Sequence, residues 1–154
     1  MLSKISLPMH PPEVLSEEER ADWYRERSFM IRPVLVVTTV NKEGVPNAAV
    51  KTNFMTVSSL SHYAFACSPQ HHTCRNILET KEFVINIPTE DIVASVLKAA
   101  LITINPPPLG VNEIERAGLT PIPSEKVRPP RIKECIAHYE CVLEWHRNGL
   151  IFGK

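Results

Sequence analysis

Residues 33–58 read PVLVVTTVNKEGVPNAAVKTNFMTVS, and this stretch decides the fold class. Pro33 to Val40 is β-branched and almost wholly apolar, the pattern of a strand buried on both faces rather than one. Asn41-Lys-Glu-Gly44 is turn chemistry of the kind that closes a hairpin. Pro46 to Ser58 then reads as a second, more polar strand region. Its periodicity is weak. Thr52 and Asn53 are neighbours that a regular strand sends to opposite faces. Thr56 and Ser58 add further hydroxyls beside Phe54 and Met55. One reading is a half-exposed strand with ordinary alternation. The stronger one is an irregular segment that presents backbone and side chains to a flat, polar-edged ligand.

The pattern extends outward in both directions. Upstream, residues 1–15 form an extended lead-in punctuated by proline, and Ser16-x-x-Glu19 is a capping box that opens a short helix to about Arg27. Downstream, Tyr63 to Cys67 reads as a third strand, residues 70–80 as a short helix, Phe83 to Ile87 as a fourth strand and Ile92 to Ala100 as a helix. Prolines at 105–108 and 121–130 mark long irregular connections. A strand region from Cys135 to Trp145 follows. Leu150 to Lys154 looks like the start or middle of another strand, as in a chain cut short or one ending on a short strand. Strands in hairpin-like succession with helices inserted predict a closed or nearly closed antiparallel barrel, not a doubly wound parallel sheet. The length, 154 residues, suits one domain over 1–154, with 1–28 as an N-terminal extension and helix.

Composition narrows the function. Lysine plus arginine equals aspartate plus glutamate at 17 each, a balance that points away from nucleic acid or an anionic membrane as the main partner. The longest apolar run, Ile92 to Ile104, is too short for a membrane span and contains Lys98. The N-terminus carries no basic region followed by a long apolar core, so no signal peptide is read and a cytoplasmic protein is expected. Without a secretion signal, Cys67, Cys74, Cys135 and Cys141 are expected as thiols.

The densest chemistry lies in SPQHHTCRNI, Ser68 to Ile77. A metal site could draw on Cys67, His71, His72 and Cys74, or on Cys135, His138 and Cys141. Adjacent histidines rarely converge on one ion. In the second group strand alternation would put Cys135 and Cys141 on one face and His138 on the other. No metal is therefore expected, and the cysteines read as small buried hydrophobes. Covalent catalysis by Cys74 lacks a third group to orient a histidine; packing with Ile77 and Leu78 is the simpler reading. An anion cradle fits best. Ser68-Pro69 signals helix entry, the segment Gln70 to Arg75 offers free backbone N–H groups at a positive dipole end, and Thr73, His71, His72 and Arg75 add donors. The bland alternative is a solvated Arg75 and a surface histidine.

Several segments together resemble the flavin reductase-like family of FMN-binding split barrels, which includes flavoredoxin-type proteins. They are Arg32-Pro33-Val-Leu-Val-Val-Thr-Thr, Gly44-Val-Pro-Asn47-Ala-Ala, Phe54-x-x-Val-Ser58, His72-Thr73-x-x-Asn76-Ile77 and Glu82-Phe83-Val-Ile-Asn86-Ile87-Pro88, followed by Ala117-Gly118-Leu119-Thr120 and Tyr139-Glu140-Cys141. The resemblance implies a mainly β fold with added helices, a six-stranded antiparallel split β-barrel. It also implies a homodimer with FMN near the dimer interface. Its isoalloxazine would lie against the Thr38-Thr39 strand end and Thr52-Asn53-Phe54, with Asn47 nearby and the phosphate on His71-His72-Thr73. The flavin would carry hydride or single electrons, so no catalytic side chain is required. NADH or NADPH would be the donor, and an electron-transfer or oxygenase protein the partner. Family members that use NAD(P)H often show a Gly-Asp-His-type motif before the final strand. Here Arg147-Asn148-Gly149 stands in that place, with Asn148 where the histidine is expected. The resemblance therefore implies an FMN-binding oxidoreductase, with a flavoredoxin-like electron carrier without direct NAD(P)H use as the rival and a module for another phosphorylated ligand as a third reading.

Overall fold

A computed structural model describes Ser16 and residues 32–58, 61–104 and 110–154. The expected helix after Ser16 and the proline cluster at 105–108 lie outside the described residues. Two compact units are distinguished, Met1–Ile31 and Arg32–Lys154, and everything below concerns the second.

The opening hairpin forms as its sequence predicts. Strand β1 (Leu35–Val40) is buried at every position. It pairs antiparallel with β2 (Pro46–Lys51), Val40 opposite Pro46 and Leu35 opposite Lys51. Asn41 closes the turn: its carbonyl accepts from the Gly44 N–H at 3.0 Å and its side-chain oxygen from the Val45 N–H at 2.8 Å. Gly44 takes φ +84, a left-handed conformation that suits glycine.

The polar run 46–58, expected as one strand region, divides into two strands. Thr52 and Asn53 are non-strand, and β3 (Phe54–Ser58) begins after them. β4 (His62–Ala66) pairs with β3. Then come helix α1 (His72–Thr80), β5 (Glu82–Ile87), a 3-10 turn (Glu90–Ile92) and helix α2 (Val93–Ile104). A short helix α3 (Glu113–Arg116) precedes a small ribbon of β6 (Pro121–Ile122) and β7 (Arg131–Ile132). The final hairpin is β8 (Ala137–Arg147) and β9 (Leu150–Gly153). The strand expected from Cys135 thus starts two residues later. Cys135 and Cys141 do not share a strand face: Cys135 packs in one core cluster and Cys141 in the other.

The main sheet has seven strands in the order β2-β1-β5-β8-β9-β4-β3, one more than the expected six. The fold is a mainly β split barrel: the sheet does not close, and its two edge strands, β2 and β3, are consecutive in the chain. They are joined only by Thr52–Asn53. β8 bridges the two halves. Its first part pairs with β5, from Ile87 opposite Ala137 to Glu82 opposite Val142. Its last part pairs with β9 after a register shift between Leu143 and Trp145, a bulge that lets one long strand turn the corner.

β1 is buried on both faces because it feeds two cores. Leu35 and Val37 enter a cluster with Phe65, Cys74, Ile77, Phe83, Ile85 and Ile151 inside the sheet's curve. Val36 enters a second cluster with Ala48, Val96, Ala99, Ile114 and Ile132, beneath α2 and α3. Period-two alternation delivers successive apolar residues to opposite faces, so a two-core strand cannot alternate in polarity.

Candidate functional site

Thr39 begins a buried polar network that packs the start of α1 onto the first hairpin. Asn47 is its hub. Its side-chain oxygen accepts from Thr39 Oγ1 and from Thr73 Oγ1, both at 3.0 Å. Its amide nitrogen donates to Glu113 Oε2 at 2.7 Å. Asn76 Nδ2 donates to Thr39 Oγ1 at 3.0 Å. The second Glu113 oxygen lies 3.0 Å from His72 Nδ1. A carboxylate only accepts, so this contact fixes the proton on Nδ1. Glu113 is 3% exposed. Burial of so many polar groups costs little because each finds a partner.

An open cleft of about 410 Å³ lies beside this network. The break between β2 and β3 contributes Lys51, Thr52 and Asn53. The link from β4 into α1 contributes Cys67, Ser68, Pro69 and His71, and the β8–β9 turn contributes Asn148 and Gly149. Thr103 of α2 completes one side. Two tertiary contacts and one local turn bond hold these loops in shape. Asn53 Nδ2 donates to the Ala66 carbonyl at 3.2 Å. The Cys67 N–H donates to the Gly149 carbonyl at 2.7 Å. The His71 N–H donates to the Ser68 carbonyl at 3.0 Å. Gly149 is needed at its place: φ is +79, and a Cβ there would lie 3.2 Å from the Cys67 carbonyl oxygen. Among the described residues, the cleft wall carries no aspartate or glutamate.

The N-cap residue of α1, His71, stands on the cleft wall. His71 occupies the N-cap in extended conformation, and no side chain caps the helix. First-turn N–H groups of a helix have no partner within it. Pro69 of the helix-entry signal stands two residues before the cap, outside the helix. The His71 ring nitrogen Nδ1 is buried without a hydrogen-bond partner. Burial first, then repulsion from Lys51 and His72, hold the imidazole below its ordinary pKa. It is therefore neutral at pH 7, with one nitrogen free to accept and one to donate.

The expected site residues divide into three groups. Thr52, Asn53 and His71 line the cleft. Thr39, Asn47, His72 and Thr73 join the closed network behind it. Thr38 and Phe54 lie in neither. Thr38 is fully buried, donating to the Pro130 carbonyl, and Phe54 stacks on Tyr63 at 5.5 Å. Cys74 packs with Ile77 and Leu78, and burial pushes its thiol up to about 11, which disfavours a nucleophilic thiolate. Lys51 and Glu113 stand outside the expected site, while Ser68 reads from sequence as helix entry and Asn148 as the place of the family's histidine. Lys51 had a signal: it shares the inward strand phase of Asn47 and Ala49. Glu113 had none, because its partner Asn47 lies 66 residues away.

Comparison with known proteins adds to this geometry. Residues 27–149 match the flavin reductase like domain. The chain belongs to that family. Among curated relatives, an uncharacterized protein of Aquifex aeolicus is 38% identical over 118 residues, 73% of this chain and 58% of that protein. The chain thus spans little more than half the length of that relative. The solved structure of nitrilotriacetate monooxygenase component B from Bacillus cereus is 31% identical, with TM-score 0.75, covering 97% of this chain and 79% of that one. An FMN-binding domain of a flavin reductases-like enzyme from Shewanella baltica is 15% identical, with TM-score 0.70, over 83% of this chain and 68% of that one; this last likeness shows the fold alone.

Proposed function

We propose that the chain binds FMN in the cleft between the β2–β3 break and the start of α1, and works there as a cytoplasmic flavin reductase-like oxidoreductase. One observation carries the reading: a cleft of about 410 Å³ joins the N-cap residue of an uncapped helix to the strand break at Thr52–Asn53, with no acidic residue among the described residues of its wall. That volume falls in the range of small-molecule sites, roughly 300–1,000 Å³. The residues present fit the cofactor. Ser68, His71 and the first-turn N–H groups suit a phosphate dianion, and the unpartnered His71 nitrogen supports a ligand there. Thr73 would take part through its backbone N–H, since its hydroxyl hydrogen is engaged by Asn47. Thr52 and Asn53 would meet the polar ring edge. Lys51, Cys67 and Gly149 would form the floor.

When bound, FMN supplies the redox chemistry, carrying hydride or single electrons. The protein's own work is to bind, orient and shield. The His72–Glu113–Asn47–Thr73 chain fixes the helix start, and Asn53 and Gly149 hold the opposite walls. A homodimer and a partner oxygenase are part of the proposal, the latter by likeness to the monooxygenase component.

Asn148 favours a second reading. It lines the cleft at φ +49, where NAD(P)H-using relatives are expected to carry histidine. A flavoredoxin-like carrier would receive electrons from a protein instead. Two measurements decide. Titration with FMN should bring a bound flavin spectrum with shifted bands; an unperturbed free-flavin spectrum at saturating protein sinks the proposal. Anaerobic NADH or NADPH should then bleach the bound flavin. A flavin that stays oxidised leaves only the carrier.

A further inference from the structure

Lys51 is the last residue of β2 and only 6% exposed. It lines the cleft, and its side chain reaches the buried Cys67 thiol. Among the described residues, no carboxylate forms an ion pair with it; the pairs formed involve Lys42, Arg128, Arg131, Lys154 and two histidines. A nearly buried ammonium with only a thiol beside it is costly unless a ligand supplies the countercharge. Among the described residues no acidic residue lines the cleft, and His71 is held neutral there. Lys51 is thus the one cationic group among the described residues of its wall.

We infer that Lys51 sets the redox preference of the cleft: its ammonium is the countercharge for the flavin ring in its reduced, anionic form, so reduced FMN binds more tightly than oxidised FMN. The inference rests on the proposed FMN site and deepens it. Taking up two electrons and one proton leaves the ring with one net negative charge, which oxidised FMN lacks. A single fixed cation in a poorly hydrated floor therefore discriminates between the two states, and charge near the ring tunes its potential. The phosphate dianion has its own donors at Ser68, His71 and the helix start. Lys51 lies on the cleft floor, next in the chain to Thr52 and Asn53, where the ring edge is proposed, and near enough to His71 to act on its imidazole; riboflavin, which lacks the phosphate, separates the two contacts.

The test compares wild type with Lys51→Met, which keeps length and removes charge, and with Lys51→Arg, which keeps charge. Affinities for oxidised and dithionite-reduced FMN and riboflavin are measured anaerobically, with the bound midpoint potential from equilibration with a reference dye. For Lys51→Met, oxidised FMN should bind within about threefold of wild type and reduced FMN about tenfold more weakly. The potential should fall by about 30 mV, the equivalent of tenfold for a two-electron couple. Riboflavin should show the same shift, and Lys51→Arg should stay near wild type. If Lys51→Met does not fold by thermal denaturation, Lys51→Gln is held to the same numbers. Equal losses for both oxidation states, confined to FMN, would assign Lys51 to the phosphate and overturn the inference. So would unchanged affinities in every arm. Absence of flavin binding by wild type would instead remove the proposed function itself, and this inference with it.

Discussion

His71 and His72 are neighbours in sequence with opposite fates. His72 turns into a closed network, its Nδ1 on a buried carboxylate. His71 turns into an open cleft, its Nδ1 buried and unpartnered. The same contrast holds for the regions they represent. Behind α1, Thr39, Asn47, Thr73, Asn76 and Glu113 satisfy one another. In front of it, His71 Nδ1 has no such completion, and Lys51 meets the Cys67 thiol rather than a carboxylate of the described residues. A fully satisfied polar network stabilises and fixes geometry; an incomplete one on a cleft wall is completed by a ligand.

The largest expected effect breaks the closed side. Glu113→Ala removes the acceptor of both Asn47 and His72 and should lower stability by about 3 kcal/mol, the scale of a buried polar group left unsatisfied. Chemical denaturation measures it, and a loss below about 0.5 kcal/mol would show that the network is not closed. On the open side, His71→Phe should weaken FMN binding by about 1.5 kcal/mol, one hydrogen bond to a charged group, while stability holds or rises slightly as an orphaned nitrogen is removed. A matching loss for riboflavin would move His71 away from the phosphate. Thr73→Ala sharpens the boundary. Its hydroxyl serves Asn47, so stability should drop by about 1 kcal/mol and FMN affinity by less. The reverse ranking in paired denaturation and binding assays would put the hydroxyl on the ligand.

The smallest effect is in pH. His71 and His138 both have lowered pKa values. For His71 burial leads, then Lys51 and His72; for His138 burial leads, then Arg131, with Glu140 opposing. Both therefore take up a proton more readily unfolded than folded. Stability rises with pH wherever the unfolded chain holds more protons. This contribution is complete above the ordinary histidine pKa, about 6.5, and is lost as pH falls below it. Denaturation midpoints between pH 7 and 5 should fall less steeply in His71→Phe than in wild type. Parallel slopes would contradict the cause assigned to His71.

Much of this was legible in the sequence because it is local. Mostly β-branched, almost wholly apolar residues from 33 to 40 and turn chemistry at 41–44 announce a doubly buried strand and a hairpin; the polar run at 46–58 is irregular only at Thr52 and Asn53, between two paired strands. Ser68 to Ile77 announces a helix entrance with donors. The motifs in order carried the family. Local pattern fails where two distant segments decide one side chain's role. His71 and His72 are indistinguishable donors in sequence; only the arrival of Glu113 beside Asn47 commits one to the network and leaves the other to the cleft. Thr73 reads as a ligand hydroxyl until Asn47 accepts its hydrogen. Lys51 reads as a strand-end lysine until Cys67, Gly149 and the curl of the sheet bury it. Backbone preference and hydrophobic period are properties of neighbouring residues, and the chain states them directly. Burial, countercharge and hydrogen-bond completion depend on groups brought together from across the chain, and those the tertiary structure alone decided.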